Sequence, residues 1–295
     1  MVGADPAAVV AAPLGWSESL PYRAIAMRIA IGYAIVSAGV FVYGHSWLLV
    51  GLHAGVVAVL YWASRAQSRF ARLASDLAPL VVVIALAYGE VPAVVAALGV
   101  PYHDVLIQGW ETALFGSQPA HVLAAHFPNV VLSELLHAGY LSFYLVISLP
   151  LVMLYARGER EGFGETSVVL MITWVVCCAI FVLFPVQGPR FLWSSPTSVP
   201  DGPFRRLSML ILATGSARGT AFPSLHMAAS VSQMLVGWRW QRRGVSYAMV
   251  ASTCLIAIGA VYAGYHYATD MVAGALLGIV ITRALTVWRG ASRPA

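Results

Sequence analysis

Two short stretches of the 295-residue chain place histidines and a carboxylate where helices are expected to begin: GTAFPSLH, Gly219 to His226, and GYHYATD, Gly264 to Asp270. His266 and Asp270 are four residues apart. On a helix that spacing puts them on one face, where the carboxylate can accept a hydrogen bond from an imidazole N–H and hold one tautomer. Pro223 suits a first helical turn, so His226 is expected about one turn inside a helix whose free N–H groups and dipole favour an anion. Arg190, in FPVQGPRF, and Arg218, just before the first motif, add two cations. The set suits imidazole chemistry on an anionic group, and its two histidines and one carboxylate are also a metal-ligand combination. Each piece alone is weak, because an HxxxD spacing arises by chance and a histidine at a helix end is ordinarily just hydrogen-bonded. The conjunction is informative because these elements meet on one side of a charge-poor chain, where buried ionisable groups are costly.

A second group is Glu134, His137, Tyr140 and Tyr144, spaced to continue one helical face. It reads either as an interface anchor with tyrosines in an aromatic belt, or as an acceptor or headgroup site opening onto the histidines. Glu90 stands beside Pro92 and is expected to cap a broken helix near the outer surface. His103, Asp104, His121 and His126 are expected to be interfacial and solvated. Cys177, Cys178 and Cys254 have no CxxC spacing and read as small buried side chains.

The elements that must position these residues follow from composition. The chain is 60% hydrophobic and 10% charged, with mean hydropathy +0.79, against about 25% charged residues in soluble domains. All 17 basic residues are arginine, which excludes mechanisms that need an amine, such as a Schiff base or a P-loop lysine. The net charge of +5 is spread between apolar blocks without a basic run interleaved with aromatics, so no nucleic-acid partner is expected.

Eight apolar segments are expected to span a bilayer: 24–43, 46–63, 77–98, 131–154, 167–186, 223–238, 246–264 and 268–287. The fold class is thus all-α, a polytopic helical membrane protein. Thirteen arginines (23, 28, 65, 69, 72, 157, 160, 239, 242, 243, 283, 289 and 293) fall on one side of these segments, while Arg190, Arg205, Arg206 and Arg218 fall on the other. The positive-inside rule then predicts a multi-pass protein of the cell membrane with both termini cytoplasmic and the histidine motifs extracytoplasmic. The first 22 residues are not expected to be a cleaved signal peptide. The expected organisation is 1–76, a tail and two additional helices; 77–288, a six-helix core with outer loops 99–130 and 187–222; and 289–295, a cytoplasmic tail. The first loop suits short helices lying in the interface.

FPSLH followed about forty residues later by HYATD resembles the second and third signatures of the type 2 phosphatidic acid phosphatase superfamily, and FPVQGPR resembles a first signature of its bacterial members. The branch most resembled includes inositol phosphorylceramide synthases. The resemblance implies that His266 is a nucleophile forming a phospho-histidine, Asp270 its orienting partner and His226 the general acid, with Arg190 and Arg218 holding phosphate oxygens. It implies no metal and no cofactor. The expected substrate is a membrane phospholipid or lipid phosphate, with transfer to an alcohol such as a polyol favoured over hydrolysis. The alternatives are a polyprenyl or phosphatidic-type lipid phosphatase and, from another class, a lipid transporter or scramblase. The chain departs from the superfamily pattern: it lacks the lysine that opens the first signature, has Gly259 and Ala260 where the third has Ser-Arg, and has Leu225 where the commoner phosphatases have glycine. The donor lipid, the acceptor and the oligomeric state are not specified by these motifs.

Overall fold

The computed structural model describes residues 20–65, 69–193 and 201–291, and every regular element among them is helical. Most of the N-terminal tail, and Arg293 with its neighbours, lie outside the described residues. Helices α1 (Leu20–Tyr43) and α2 (Trp47–Arg65) form a hairpin. The next apolar segment is α3 (Arg69–Val82), a π-helical turn (Val83–Ala87) and α4 (Tyr88–Leu98). Contrary to expectation, the helix is not broken at Pro92: α4 runs through it and stops at Gly99, whose φ of 65° closes the last turn. Glu90 therefore caps nothing. Its carboxylate accepts a hydrogen bond from Tyr33 of α1 and lies 3.2 Å from His53 Nε2 of α2.

The loop that follows carries two short helices, α5 (Asp104–Phe115) and α6 (Pro119–His126). The segment expected as one span at 131–154 is a bent pair, α7 (Val130–Leu141) and α8 (Phe143–Ala156), at 40°. At the bend Ser142 Oγ bonds back to the Gly139 carbonyl at 2.6 Å, a competition with the backbone that bends helices. The remaining elements are α9 (Arg160–Leu183), the single turn α10 (Pro189–Leu192), α11 (Pro203–Gly215), α12 (Leu225–Trp240), α13 (Arg243–Tyr262) and α14 (Ala268–Ala291).

Among the described residues six helical stretches are long and apolar enough to cross a membrane, and the bent pair makes a seventh. Their outward faces expose Val36, Leu48, Leu145, Val152, Leu276 and Val280, an apolar belt suited to lipid rather than water. The other expected span is α12, only 16 residues long and thus about 24 Å of rise, short of a hydrocarbon core of about 30 Å. It packs against α8, α9, α13 and α14 in the middle of the bundle. Close approach of α14 depends on Gly274 and Gly278, where an added Cβ would strike the backbone carbonyls of Ser224 and Ala228. This small-xxx-small spacing is how apolar helices bring their backbones together, and here it sets the two histidine-bearing helix starts side by side.

Candidate active site

His266 sits in the turn between α13 and α14, whose tightness comes from Gly264 at φ 70° and from Tyr265 N bonding to the Ala260 carbonyl at 2.9 Å. Its Nδ1 is 3.1 Å from the Ala221 carbonyl oxygen and 3.2 Å from Asp270 Oδ2. Both partners accept, so Nδ1 carries the proton and Nε2 carries the lone pair. Asp270 is the third residue of α14 and is buried; the same Oδ2 accepts from the N-cap amide of Tyr267 at 2.9 Å. One oxygen thus caps the helix, as in a capping box, and orients the imidazole.

His226 is the second residue of α12, where Ser224 is the N-cap and its Oγ accepts from Met227 N at 3.3 Å. The two imidazole centroids are 5.6 Å apart and nearly perpendicular, at 69°. Tyr140 Oη lies 3.1 Å from His226 Nε2, and the Phe143 ring packs against His226 at 4.4 Å. Tyr140 therefore belongs to His226, a contact across 86 residues that helical spacing alone does not reveal.

Both histidines open into a small cleft walled by Tyr88, Tyr140, Arg190, Phe191, Thr220 and Tyr265 among others. Arg190 Nη1 is buried there and has no hydrogen-bond partner among the described residues, and the buried Tyr265 Oη neighbours the Ser208 hydroxyl. Burial pushes the Tyr265 phenol up to about 12, so it keeps its proton and remains a donor. A cation without an acceptor and a phenol hydroxyl, lining one cleft with the His266 imidazole, fit a tetrahedral oxyanion. The Arg218 guanidinium lies 5.3 Å from the Phe191 ring, which also carries Arg190 at 5.2 Å; Arg218 is exposed and does not line the cleft.

The loops are stitched to one another. Ala221 N donates to the Val186 carbonyl at 3.0 Å in a single parallel bridge between Val186 and Thr220, tying the FPVQGPR loop to the residues before α12. Asp104 is not solvated as expected. It is 5% exposed, and its carboxylate accepts from Gln187 N at 3.0 Å and Gly188 N at 2.9 Å. Glu111 is buried too and accepts from Thr269 N at 2.8 Å, at the start of α14. The sequence reading passed over Glu111, and also Tyr88 and Tyr265. The available signal was a polar face on α5, with Asp104, Gln108 and Glu111 at i, i+4 and i+7.

The four residues read as an acceptor or headgroup site do not share the cleft. Glu134 accepts from Phe204 N at 2.7 Å and Arg205 N at 3.1 Å, capping α11 from α7. The N-cap position there is Gly202, where any Cβ would collide with the Glu134 carboxylate. His137 is buried with Nδ1 bonded to the Ser133 carbonyl at 2.7 Å. Tyr144 is exposed beyond the bend, and only Tyr140 reaches the cleft. Of the outer-loop histidines, His103 stacks on Phe184 at 4.3 Å and His121 packs edge-on against Trp193 at 5.1 Å. Asp270 stands behind His266 rather than beside His226, and among the described residues no three His, Cys, Asp or Glu side chains form a set able to hold a metal ion.

A larger apolar groove, about 540 Å³, runs between α1, α4 and α9 and shares no residue with the cleft. Both histidines thus border the smaller space and neither borders the groove. The model of the PAP2 superfamily matches residues 106–284, more than half of the 295 residues, and the chain belongs to that superfamily. The matched segment runs from within α5 to within α14 and contains both histidine motifs, Arg190 and Arg218. No curated protein and no solved structure matches the chain.

Proposed function

We propose that the protein is an integral-membrane lipid phosphatase or phosphotransferase working through a phospho-histidine on His266. The observation that carries this reading is the double acceptor set on His266 Nδ1, the Ala221 carbonyl and Asp270 Oδ2, which leaves Nε2 as a fixed, unprotonated nucleophile. In the first step Nε2 attacks phosphorus, the P–N bond forms, and the P–O bond to the lipid breaks. His226 gives its proton to the departing oxygen. In the second step water or an alcohol attacks phosphorus, its proton passes to His226, and the P–N bond breaks to regenerate His266. Arg190 and the Tyr265 hydroxyl hold the non-bridging oxygens, and Asp270 balances the positive charge that develops on the imidazole. Arg218, near the Phe191 ring and outside the cleft lining, meets the anion at the mouth.

Superfamily membership supports this class of reaction. Within it, the likeness of HYATD to the branch with inositol phosphorylceramide synthases favours transfer to an alcohol, with hydrolysis as the alternative. The acceptor must enter beside Tyr140 and His226, because Glu134 and Tyr144 lie elsewhere. Arginine asymmetry supports an extracytoplasmic cleft and cytoplasmic termini.

The test is to incubate purified protein with ³²P-labelled phosphatidate or polyprenyl phosphate, quench in alkali, which preserves a P–N bond, and look for label on the chain. Wild type should carry label and His266→Ala none. Unlabelled wild type with unchanged lipid would remove the enzyme reading and leave the transporter. Product analysis with and without a polyol separates transfer from hydrolysis.

A further inference from the structure

Three polar side chains of α5, Asp104, Gln108 and Glu111, face inward from a helix in the loop ahead of the bent pair, and each contacts an element that carries part of the site. Asp104 holds the amides of Gln187 and Gly188 at 3.0 and 2.9 Å, three and two residues before Arg190. Gln108 Nε2 donates to Tyr267 Oη at 3.0 Å, and that hydroxyl lies 3.4 Å from Asp104 Oδ1. Glu111 holds the amide of Thr269 at 2.8 Å, between His266 and Asp270 in sequence. These contacts span 83 to 163 residues.

We propose that α5 is a positioning strap that sets two parts of the site independently: Asp104 fixes the loop presenting Arg190, and Glu111 fixes the helix start presenting His266 and Asp270. The physical case is that, among the described residues, these amides bond to Asp104 and Glu111 and to no other acceptor. The Gln187–Gly188 turn, with Gly188 at φ 91°, directs two adjacent amides at one carboxylate, and a buried amide without an acceptor costs a full desolvation penalty. At α14 the first amides lack intrahelical partners; Asp270 takes the one at Tyr267 and Glu111 the one at Thr269. None of the three side chains lines the cleft, so they act on the substrate only through the residues they hold.

The inference rests on the phosphoryl-transfer reading, and the two fail differently. The lipid phosphate turned over by wild type is assayed in detergent micelles, with orthovanadate as the probe of oxyanion binding, and His266→Ala runs alongside. Asp104→Ala should raise both KM and the vanadate concentration for half inhibition about tenfold or more, the scale of one charge-assisted hydrogen bond, with a smaller change in kcat. Glu111→Ala should do the reverse, lowering kcat and the rate of phospho-enzyme formation while vanadate inhibition moves little. Glu111→Gln, which keeps an acceptor for Thr269 N–H, should restore most of that rate. Should Asp104→Ala fail to fold, Tyr267→Phe removes only the hydroxyl joining Gln108 to Asp104 and should give a smaller rise in the same two quantities. Equal effects of Asp104→Ala and Glu111→Ala on KM and kcat, in step with a lower melting temperature, would reduce α5 to ordinary packing. An unchanged Asp104→Ala or Tyr267→Phe beside an inactive His266→Ala would overturn the strap alone, and a fully active His266→Ala would overturn the reading beneath it.

Discussion

The carboxylate of Asp270 accepts from His266 Nδ1 and from the Tyr267 amide with one oxygen; an asparagine oxygen could take the same two bonds, but the amide carries no charge to balance an imidazolium, and its NH2 turned toward the ring selects the wrong tautomer. Asp270→Asn is predicted to lower kcat by about 10³- to 10⁴-fold, as with other carboxylate-supported histidines, with a melting temperature within a few degrees of wild type. A loss below tenfold in steady-state assays would remove Asp270 from the catalytic set. Glu111 permits a pH prediction. Burial raises its pKa above the usual carboxylate value, against the opposing hydrogen bonds from Thr269. A carboxyl raised in the folded state contributes stability that is present below its unfolded pKa and lost as pH rises through the folded one. Wild type should therefore lose melting temperature relative to Glu111→Gln as pH climbs from about 4.5, and parallel curves for the two proteins would contradict this.

At the scale of elements, the contact of α12 with α14 sets the distance between His226 and His266. A Cβ on Gly274 would strike the Ser224 carbonyl, and one on Gly278 the Ala228 carbonyl one turn further along. Both substitutions to alanine should cost about 1 to 3 kcal/mol of overpacking. Their effects on rate should differ. Gly274→Ala displaces the N-cap of the helix that carries His226 in its first turn and should lower kcat on the order of 10²-fold, the cost of moving a catalytic group by about 1 Å; Gly278→Ala should change kcat much less. Equal rates for the two variants would show that the helix start is held by something other than this contact.

At the scale of the molecule, α1 and α2 lie outside the segment matched by the superfamily, 106–284, and join the rest through the Tyr33–Glu90–His53 cluster and the apolar packing around it. Removing one member of a buried pair strands the other. Glu90→Ala should lower the melting temperature in detergent by several degrees and leave KM and kcat near wild type below that temperature. A change in KM without loss of stability would give the cluster a role in substrate binding. Topology is tested by cysteines at Ser117 and at Glu159, both exposed and on opposite sides of the expected membrane. An impermeant thiol reagent applied to intact cells should label position 117 and not 159, and the opposite pattern would invert the proposed orientation.

What the sequence determined alone was what is local. The membrane class follows from hydropathy and segment length, and a helix start near His226 from Pro223, although Pro223 stands ahead of the helix rather than in its first turn, Ser224 is the N-cap and His226 is only the second residue. The His266–Asp270 pair follows from a four-residue spacing that any helix start honours. The tertiary structure decided the rest, because it depends on contacts between distant residues and on where helices bend. Asp104 reads as a solvated loop residue until the Gln187–Gly188 turn is brought onto it from 83 residues away. Glu134, His137, Tyr140 and Tyr144 share a face on a straight helix. The bend between α7 and α8 falls between Tyr140 and Tyr144, and α11 takes Glu134 for its amides, so only Tyr140 reaches the histidines. Periodicity assigns a side chain to a face, but only packing shows which unpaired amide or imidazole awaits it there.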